Sequence, residues 1–460
     1  MQKILTRLNE WWSSGEIPTE LVPKTRRLVF SELKKLIDGH RITNITGLRR
    51  TGKTTLMFQL MDMLIRQRGV DPKNILFIPC DDLELRGMDD LIGKAVTTYF
   101  EDILKRDYRK ETAYIFIDEI HWVEDWQFRL KGYHDLAYKM KFIISGSSAV
   151  KIRRKQKESL VGRIEDVIIF PLSFAEFLSF KEGSIDRAFP GIPLPEIRYE
   201  NIEEWYWKGP RQRVLDIRAI LDEYMLVGGL PEWFKSGNLR EWQTRIRDDV
   251  IRRVVYDDIA QLFNVRSGTK IEDILKLLSA FQSRTYSYNS IADTVGLDNI
   301  TATRYVDYLR ESHLLFELRN YSSTRDRQIR KNYRYIVVDT GIRNSLEFNR
   351  ELSQDDIGYL VEGVVQQHIL WHAARELWEV FFWLDKVEVD IVVKIGRTLI
   401  PIEVKYQNEP SMGDLKGLFR FMERYKVKKG FVITKDKLSK EKRDGKEILF
   451  IPLWLFLCVQ

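Results

Sequence analysis

Gly47-Leu48-Arg49-Arg50-Thr51-Gly52-Lys53-Thr54-Thr55 is the stretch that decides how this chain folds. Its spacing, Gly-x-x-x-x-Gly-Lys-Thr, is that of a phosphate-binding loop, in which glycines let backbone N–H groups turn inward and a helix N-terminus faces the phosphates. In such a loop Lys53 reaches the terminal phosphates of ATP and Thr54 ligates Mg2+, and residues 47 to 55 together are the expected cofactor-binding set. The loop follows the β-branched run Ile-Thr-Asn-Ile-Thr at 42–46 and opens a helix predicted over 54–67. That strand–loop–helix setting is what the motif needs in order to work.

Working outward, short β-branched runs at 74–79, 114–118, 142–145 and 166–170 alternate with helical stretches. Such alternation predicts a parallel sheet with helices on both faces. The run at 114–118 ends in Asp118-Glu119, where Asp118 is placed to hold Mg2+ and Glu119 to polarise an attacking water. After the run at 142–145, Ser145, Ser147 and Ser148 offer hydroxyls for sensing the γ-phosphate, and the sequence does not choose among them. The segment Lys-Ile-Arg-Arg-Lys-Gln-Lys at 151–157 is either a phosphate contact or a solvated charged face.

The loop, the Ile117-Asp118-Glu119-Ile120 strand end, Ser145-Gly146-Ser147-Ser148, and Gly162-Arg163 followed by Pro171-Leu172-Ser173-Phe174 resemble AAA+/STAND-like P-loop ATPases over residues 41–180, most closely an archaeal group. The resemblance implies ATP hydrolysis and an AAA+ core over 1–180. It also implies a helical lid containing the Gly228-Gly229-Leu230-Pro231 bend, and a role for Arg163 in supplying positive charge to the transition state, within one chain or across a ring. Pairing with Glu165 is the other reading of Arg163.

Residues 181–345 read as mostly helical. From 288 to 320 the order is helix, turn at Gly296, helix, strand, which is helix-turn-helix order with a wing. Asn299, Thr301, Thr303 and Arg304 fall where a recognition helix presents side chains, with Arg325, Arg327, Arg330 and Lys331 on or after the wing. Ile300, Tyr305, Val306 and Leu309 read as core. DNA contact and a lid or protein-contact role are both compatible with this pattern.

Residues 346–460 form a third expected domain: a long amphipathic helix to about 378, strands near 380–384, 388–395 and 398–406, a helix at 411–425, and strands at 429–434 and 447–457. Residues 435–446 read as a charge-dense loop, and 448–459 as a buried terminal strand. Strand alternation puts Glu403 and Lys405 on one face, and the Gly396-Arg397 hairpin brings Asp390 beside them. Paired carboxylates bind a divalent metal that activates water, while a lysine positions the nucleophile. With Glu362 on the preceding helix, this order resembles the PD-(D/E)XK nuclease fold, with Val389 where the namesake proline would stand. The resemblance implies catalytic Asp390, Glu403 and Lys405, a metal (Mg2+ or Mn2+) held by Glu362, Asp390 and Glu403, and DNA, branched duplex included, as partner.

The expected fold class is therefore α/β: a P-loop AAA+ parallel-sheet core, a helical lid plus winged helix, and an α/β restriction-endonuclease-like domain. The expected function is an ATPase acting on DNA; the alternative is an ATP-controlled switch or scaffold whose nuclease-like fold does not cleave. A net charge of +7 over 460 residues is compatible with a polyanionic partner. Two cysteines, Cys80 and Cys458, far apart and in no ligand spacing, indicate neither a disulfide framework nor a zinc site, and suit a reducing compartment. No signal peptide and no apolar run of about 20 residues is visible, so a cytoplasmic protein without a membrane partner is expected, with self-association open.

Overall fold

The β-branched runs become five strands: β1 (Ile42–Gly47), β2 (Ile75–Pro79), β3 (Ala113–Asp118), β4 (Met140–Gly146) and β5 (Ile164–Ile169). In this computed structural model they form one all-parallel sheet in the order β2-β3-β4-β1-β5. Side chains alternate across it as the strand period requires. Ile115 and Ile117 pack with Ile42, Tyr99 and Phe142 on one face. Phe116 joins Ile143 on the other, against Leu56, Met57, Leu60 and Leu64 of the helix α1 (Lys53–Arg68). Because all the strands run the same way, the loop after β1, Asp118 and Ser145 collect at one sheet edge, the place where open α/β sheets build ligand sites.

The description covers every residue except 108–111, 137, 147–159, 184–190, 209–212, 260–264, 266–267, 281–283, 324–331, 355 and 460. Ser147, Ser148, the basic run 151–157 and the wing cations Arg325, Arg327, Arg330 and Lys331 lie outside the described residues. Two compact units result, Met1–Ile169 and Phe170–Gln460.

The second unit begins with α2 (Phe174–Glu182), which opens on a capping box between Ser173 and Glu176. Then come α3 (Val214–Val227), α4 (Gly268–Ala280), α5 (Tyr288–Val295) and α6 (Asn299–Glu311), and an antiparallel pair, β6 (Leu315–Asn320) with β7 (Tyr333–Val337). After α7 (Thr340–Glu347) and α8 (Ile357–Glu376) follow β8 (Glu379–Asp385), β9 (Val387–Ile395), β10 (Thr398–Lys405), α9 (Lys416–Arg424), β11 (Lys429–Thr434), β12 (Ser439–Arg443), β13 (Lys446–Pro452) and α10 (Leu453–Val459).

Eight strands form one mixed sheet, β12-β13-β11-β10-β9-β8-β6-β7. The sheet runs straight across the boundary that sequence reading draws at 345/346, because β6 pairs in parallel with β8, Arg319 opposite Phe381. Leu318, Ile336, Leu370 and Phe382 then share one core. A second knot holds the Gly228-Gly229 bend. The buried Asp339 carboxylate accepts the Gly229 N–H at 2.6 Å and the Ile342 N–H at 3.1 Å, capping α7, and burial pushes its pKa up to about 6.

Several local expectations change. Residues 453–459 are helical, not strand: Pro452 ends β13, and a run that is apolar on every side has no period to separate helix from strand. Within 435–446 lies an edge strand, β12, antiparallel to β13; its Lys, Glu and Arg side chains are how an edge avoids further pairing. The predicted 411–425 helix is confined to α9. Ile300, read as core, is 72 % exposed near the start of α6, whereas Val306 and Leu309 are buried.

Candidate functional site

The phosphate-binding loop turns sharply out of β1. Gly47 has φ 143° and a Cβ there would stand 2.2 Å from the Ile169 carbonyl oxygen, so no larger residue fits. Gly52, at φ 90°, delivers the chain into α1. Arg50 takes the left-handed conformation at φ 69° despite its side chain, as does Glu119 at φ 49°; such outliers cluster at functional sites. The loop is braced from within by Thr51 Oγ1 donating to the Leu48 carbonyl at 2.9 Å. Lys53, buried, lays its ammonium over the Gly47 and Leu48 carbonyls at 3.2 and 3.0 Å.

Arg27 was not found by sequence reading. Its buried guanidinium donates to the Thr51 carbonyl at 3.0 Å, clamping the loop from a segment 24 residues upstream. No local pattern announces such a contact.

Across the sheet edge, Thr54 Oγ1 donates to Asp118 Oδ2 at 2.7 Å. Ser145 Oγ donates to the other oxygen, Asp118 Oδ1, and itself accepts the Glu119 N–H at 3.3 Å. Burial raises the Asp118 pKa, with the neighbouring Glu119 adding to the rise, while the Ser145 and Thr54 hydrogen bonds and the Lys53 charge oppose it. A hydroxyl and a carboxylate oxygen this close are the hard donors Mg2+ prefers, so the residues present fit the ion. Glu119 stays half-buried beside the strand end, 3.1 Å from His121 Nδ1. Of the three candidate hydroxyls, Ser145 is the described one, and it is buried against Asp118. Arg49 and Thr55 are half-buried on the loop and the first turn of α1.

Arg163 is elsewhere. Its backbone carbonyl accepts the Ile42 N–H at the start of β1, about 17 Å along the strand from the loop at some 3.3 Å per residue. Its guanidinium grips Asp135, Nε to Oδ1 at 2.6 Å and Nη2 to Oδ2 at 3.2 Å. The expected charge donor cannot reach its own chain's phosphates, and its partner is Asp135 in place of Glu165.

In the second unit, β9 and β10 bring Asp390, Glu403 and Lys405 together. Asp390 is buried and its Oδ2 accepts the Val404 N–H at 2.7 Å; Lys405 Nζ stands 2.7 Å from Glu403 Oε1. Burial raises both carboxyl pKa values, that of Glu403 strongly, with Asp390 adding to it. The Lys405 ammonium is held charged by the same carboxylates in spite of burial, and its pKa rises. Glu403 Oε2 is buried without a hydrogen-bond partner.

Glu362 does not complete a metal cage. Among the described residues no group of three or more His, Cys, Asp or Glu is placed to hold an ion, which corrects the expected Glu362, Asp390 and Glu403 triad. The reason is Arg334 on β7, another residue absent from the sequence reading. Buried over the Phe382 ring, it pairs with Glu362 at 3.5 Å and Glu388 at 2.6 Å, and Gln366 donates to Glu362 at 2.9 Å. Asp390 and Glu403, with its orphaned oxygen, remain as a two-carboxylate donor set that fits a divalent cation.

Residues 39–178 match the family of the AAA domain. Residues 218–355 match a domain of unknown function (DUF8612), and residues 357–456 another (DUF4143). Along its length the chain is similar to an uncharacterized protein of Methanocaldococcus jannaschii, 26 % identical over 99 % of this chain and 94 % of the relative. An uncharacterized protein of Haemophilus influenzae is 23 % identical over 94 % and 98 % respectively. The solved structure of C. elegans PCH-2 is similar at 18 % identity and a TM-score of 0.23, over 37 % of this chain and 47 % of that one, so this match spans less than half of its length. The first unit is thus an AAA-like nucleotide-binding core, and among the described residues no helix is long and apolar enough to cross a membrane.

Proposed function

We propose that this chain hydrolyses ATP in its first unit and uses the nucleotide cycle to govern action on DNA by its second. The carrying observation is the Thr54–Asp118–Ser145 hydrogen-bond chain beside the phosphate-binding loop, which ties the residue that would ligate Mg2+ to the strand end bearing Glu119. Thr54 and Asp118 would hold the ion, which supplies positive charge to the β- and γ-phosphates when bound. Lys53 binds those phosphates, Glu119 orients and polarises the attacking water, and Ser145 keeps Asp118 aimed.

DNA enters the proposal through the second unit. The order of α4, α5 and α6 before the antiparallel β6 and β7 supports reading a winged helix here, with Asn299 and Arg304, exposed on α6, where bases or phosphates would be met. Asp390 and Glu403 are proposed to hold Mg2+ or Mn2+ for cleavage of the DNA backbone, with Lys405 positioning the nucleophile. One observation favours the binding-only alternative: Arg334 occupies Glu362, leaving the site a carboxylate short.

A paired assay of ATP hydrolysis and DNA cleavage tests both readings, comparing wild type with Lys53→Ala and Asp390→Ala. Loss of hydrolysis in Lys53→Ala, with loss of cleavage but not of hydrolysis in Asp390→Ala, supports a two-site enzyme; cleavage that Lys53→Ala leaves unchanged removes the control by nucleotide. Absence of cleavage by wild type on linear, nicked and branched DNA leaves an ATP-controlled DNA-binding switch, and absence of hydrolysis sinks the ATPase itself.

A further inference from the structure

A recess of about 350 Å3 opens at the end of the mixed sheet where β10 and β11 begin. That volume lies within the roughly 300–1,000 Å3 range of small-molecule sites. Its described lining includes four cations, Arg397, Lys426, Lys428 and Lys429, and no carboxylate. Leu399 and Val427, both half-buried, and Phe431 supply an apolar floor. Lys429 is part of the wall: its ammonium donates to the Ile197 carbonyl and lies 5.1 Å from the Phe431 ring centre. Arg397, Lys426 and Lys428 are exposed, and among the described residues no carboxylate lies within ion-pairing distance of them. Three unneutralised cations around an apolar hollow match a ligand with a flat apolar part and several negative charges.

We propose that this recess binds one nucleotide unit of a single nucleic-acid strand, the base resting on Leu399 and Val427 and the flanking phosphates on Arg397, Lys426 and Lys428. Single-strand sites elsewhere combine these two ingredients, a cationic track for the backbone and a surface for bases. The site is distinct from the Asp390 cluster. Thr398 begins β10 and Lys405 ends it, so the two lie about 23 Å apart along the strand. A strand anchored in the recess is thereby held at a fixed reach from the carboxylates. The inference rests on the reading that the second unit meets DNA, and it names where an unpaired strand would be held.

The test is fluorescence anisotropy of a short labelled oligothymidylate on the full chain over a series of salt concentrations. Lys426→Glu with Lys428→Glu, both at exposed positions, is expected to weaken binding at least roughly tenfold, and to flatten the slope of log affinity against log salt by about 1.4, for two contacts at about 0.7 each. The charge-matched pair Lys442→Glu with Arg443→Glu, on β12, is expected to bind as wild type does; an equal loss there means a diffuse charge effect and overturns the site. An abasic strand of the same length should bind wild type more weakly, and equal binding removes the base from the proposal. Competition by thymidine monophosphate as strong as by the oligomer overturns the strand and leaves a free-nucleotide site. If the double variant binds as wild type does, the recess is refuted while DNA binding stands; if wild type binds neither this strand nor duplex DNA, both fall.

Discussion

Ser145 carries more than a terminal position on β4, because its hydroxyl donates to Asp118 while accepting the Glu119 N–H. Ser145→Ala leaves a buried carboxylate one donor short, at a cost of about 1.5–3 kcal/mol for a hydrogen bond to a charged group. The expected result is a fall in kcat for ATP of roughly tenfold to a hundredfold with KM little changed, read by steady-state hydrolysis; an unchanged kcat removes Ser145 from the machinery. Arg334 gives the counterpart in the second unit. Arg334→Ala strands Glu362 and Glu388 beside buried Asp390, so the urea unfolding free energy of that unit should drop by about 3 kcal/mol, the scale for breaking a buried pair. An unaltered midpoint would mean that solvent replaces the guanidinium. At this scale the sequence is legible where chemistry is local. Gly47 to Thr54 can be read from spacing alone, and Asp118 from a strand end, whereas Arg27 and Arg334 act through contacts 24 and 28 residues away that no periodicity announces.

Among the elements, α8 holds two histidines whose surroundings forbid charge. His368 is fully buried, with its Nδ1–H given to the Val364 carbonyl at 2.9 Å and its Nε2 accepting the Phe174 N–H at 3.0 Å, and burial lowers its pKa to about 3. His372 is lowered to about 4, by burial and then by Arg375, with Glu176 opposing. Since the unfolded chain takes up both protons below about 6.5, their stabilisation is complete above that pH and is lost as pH falls towards 4 and 3. Asp339, raised to about 6, works the other way: folded, it keeps a proton that the unfolded chain releases above about 4, and so gains stability as pH falls. Two histidines against one carboxylate leave a net loss of about 3 kcal/mol from these groups between pH 6 and 4, at about 1.4 kcal/mol per group and pH unit. His372→Leu should make the denaturation midpoint fall less, or rise more, than that of wild type between pH 6 and 4, and an unchanged slope would remove His372 from the acid response. Gly417 makes a second element-scale case. A Cβ on it would stand 1.7 Å from the Glu388 carbonyl oxygen, so Gly417→Ala should force α9 off β9 and cost about 1–3 kcal/mol of thermal stability, the range for overpacking. Neither feature could be read in advance, for the helix and strand patterns report which face is apolar and not how closely two backbones approach. The same limit explains α10: Leu453 to Cys458 is buried throughout, and burial on all sides erases the period that tells helix from strand.

For the whole chain, length suggests three domains of ordinary size, and family matches break near residue 356, yet the second unit is knit by one sheet. The decisive pairing, β6 with β8, joins residues about 60 apart in parallel, and sequence reading has no local signal for a partner that distant. Separate fragments test the difference. Residues 1–169 have their own two core layers and should fold alone, with ATP and Mg2+ at a hundred times Kd stabilising them by about 2.7 kcal/mol. Residues 170–460 should also fold, and nucleotide should leave their melting unchanged. Residues 170–345, cut where sequence reading ends the second domain, lose β8 and α8, so Leu318 and Ile336 are uncovered and β6 presents an unpaired edge. That fragment should aggregate or show no cooperative transition, while calorimetry of the intact chain should resolve two transitions with only one moved by nucleotide. A soluble, cooperatively melting 170–345 would mean that the β6–β8 pairing adds little to the fold and that the sheet joins two bodies which are stable apart.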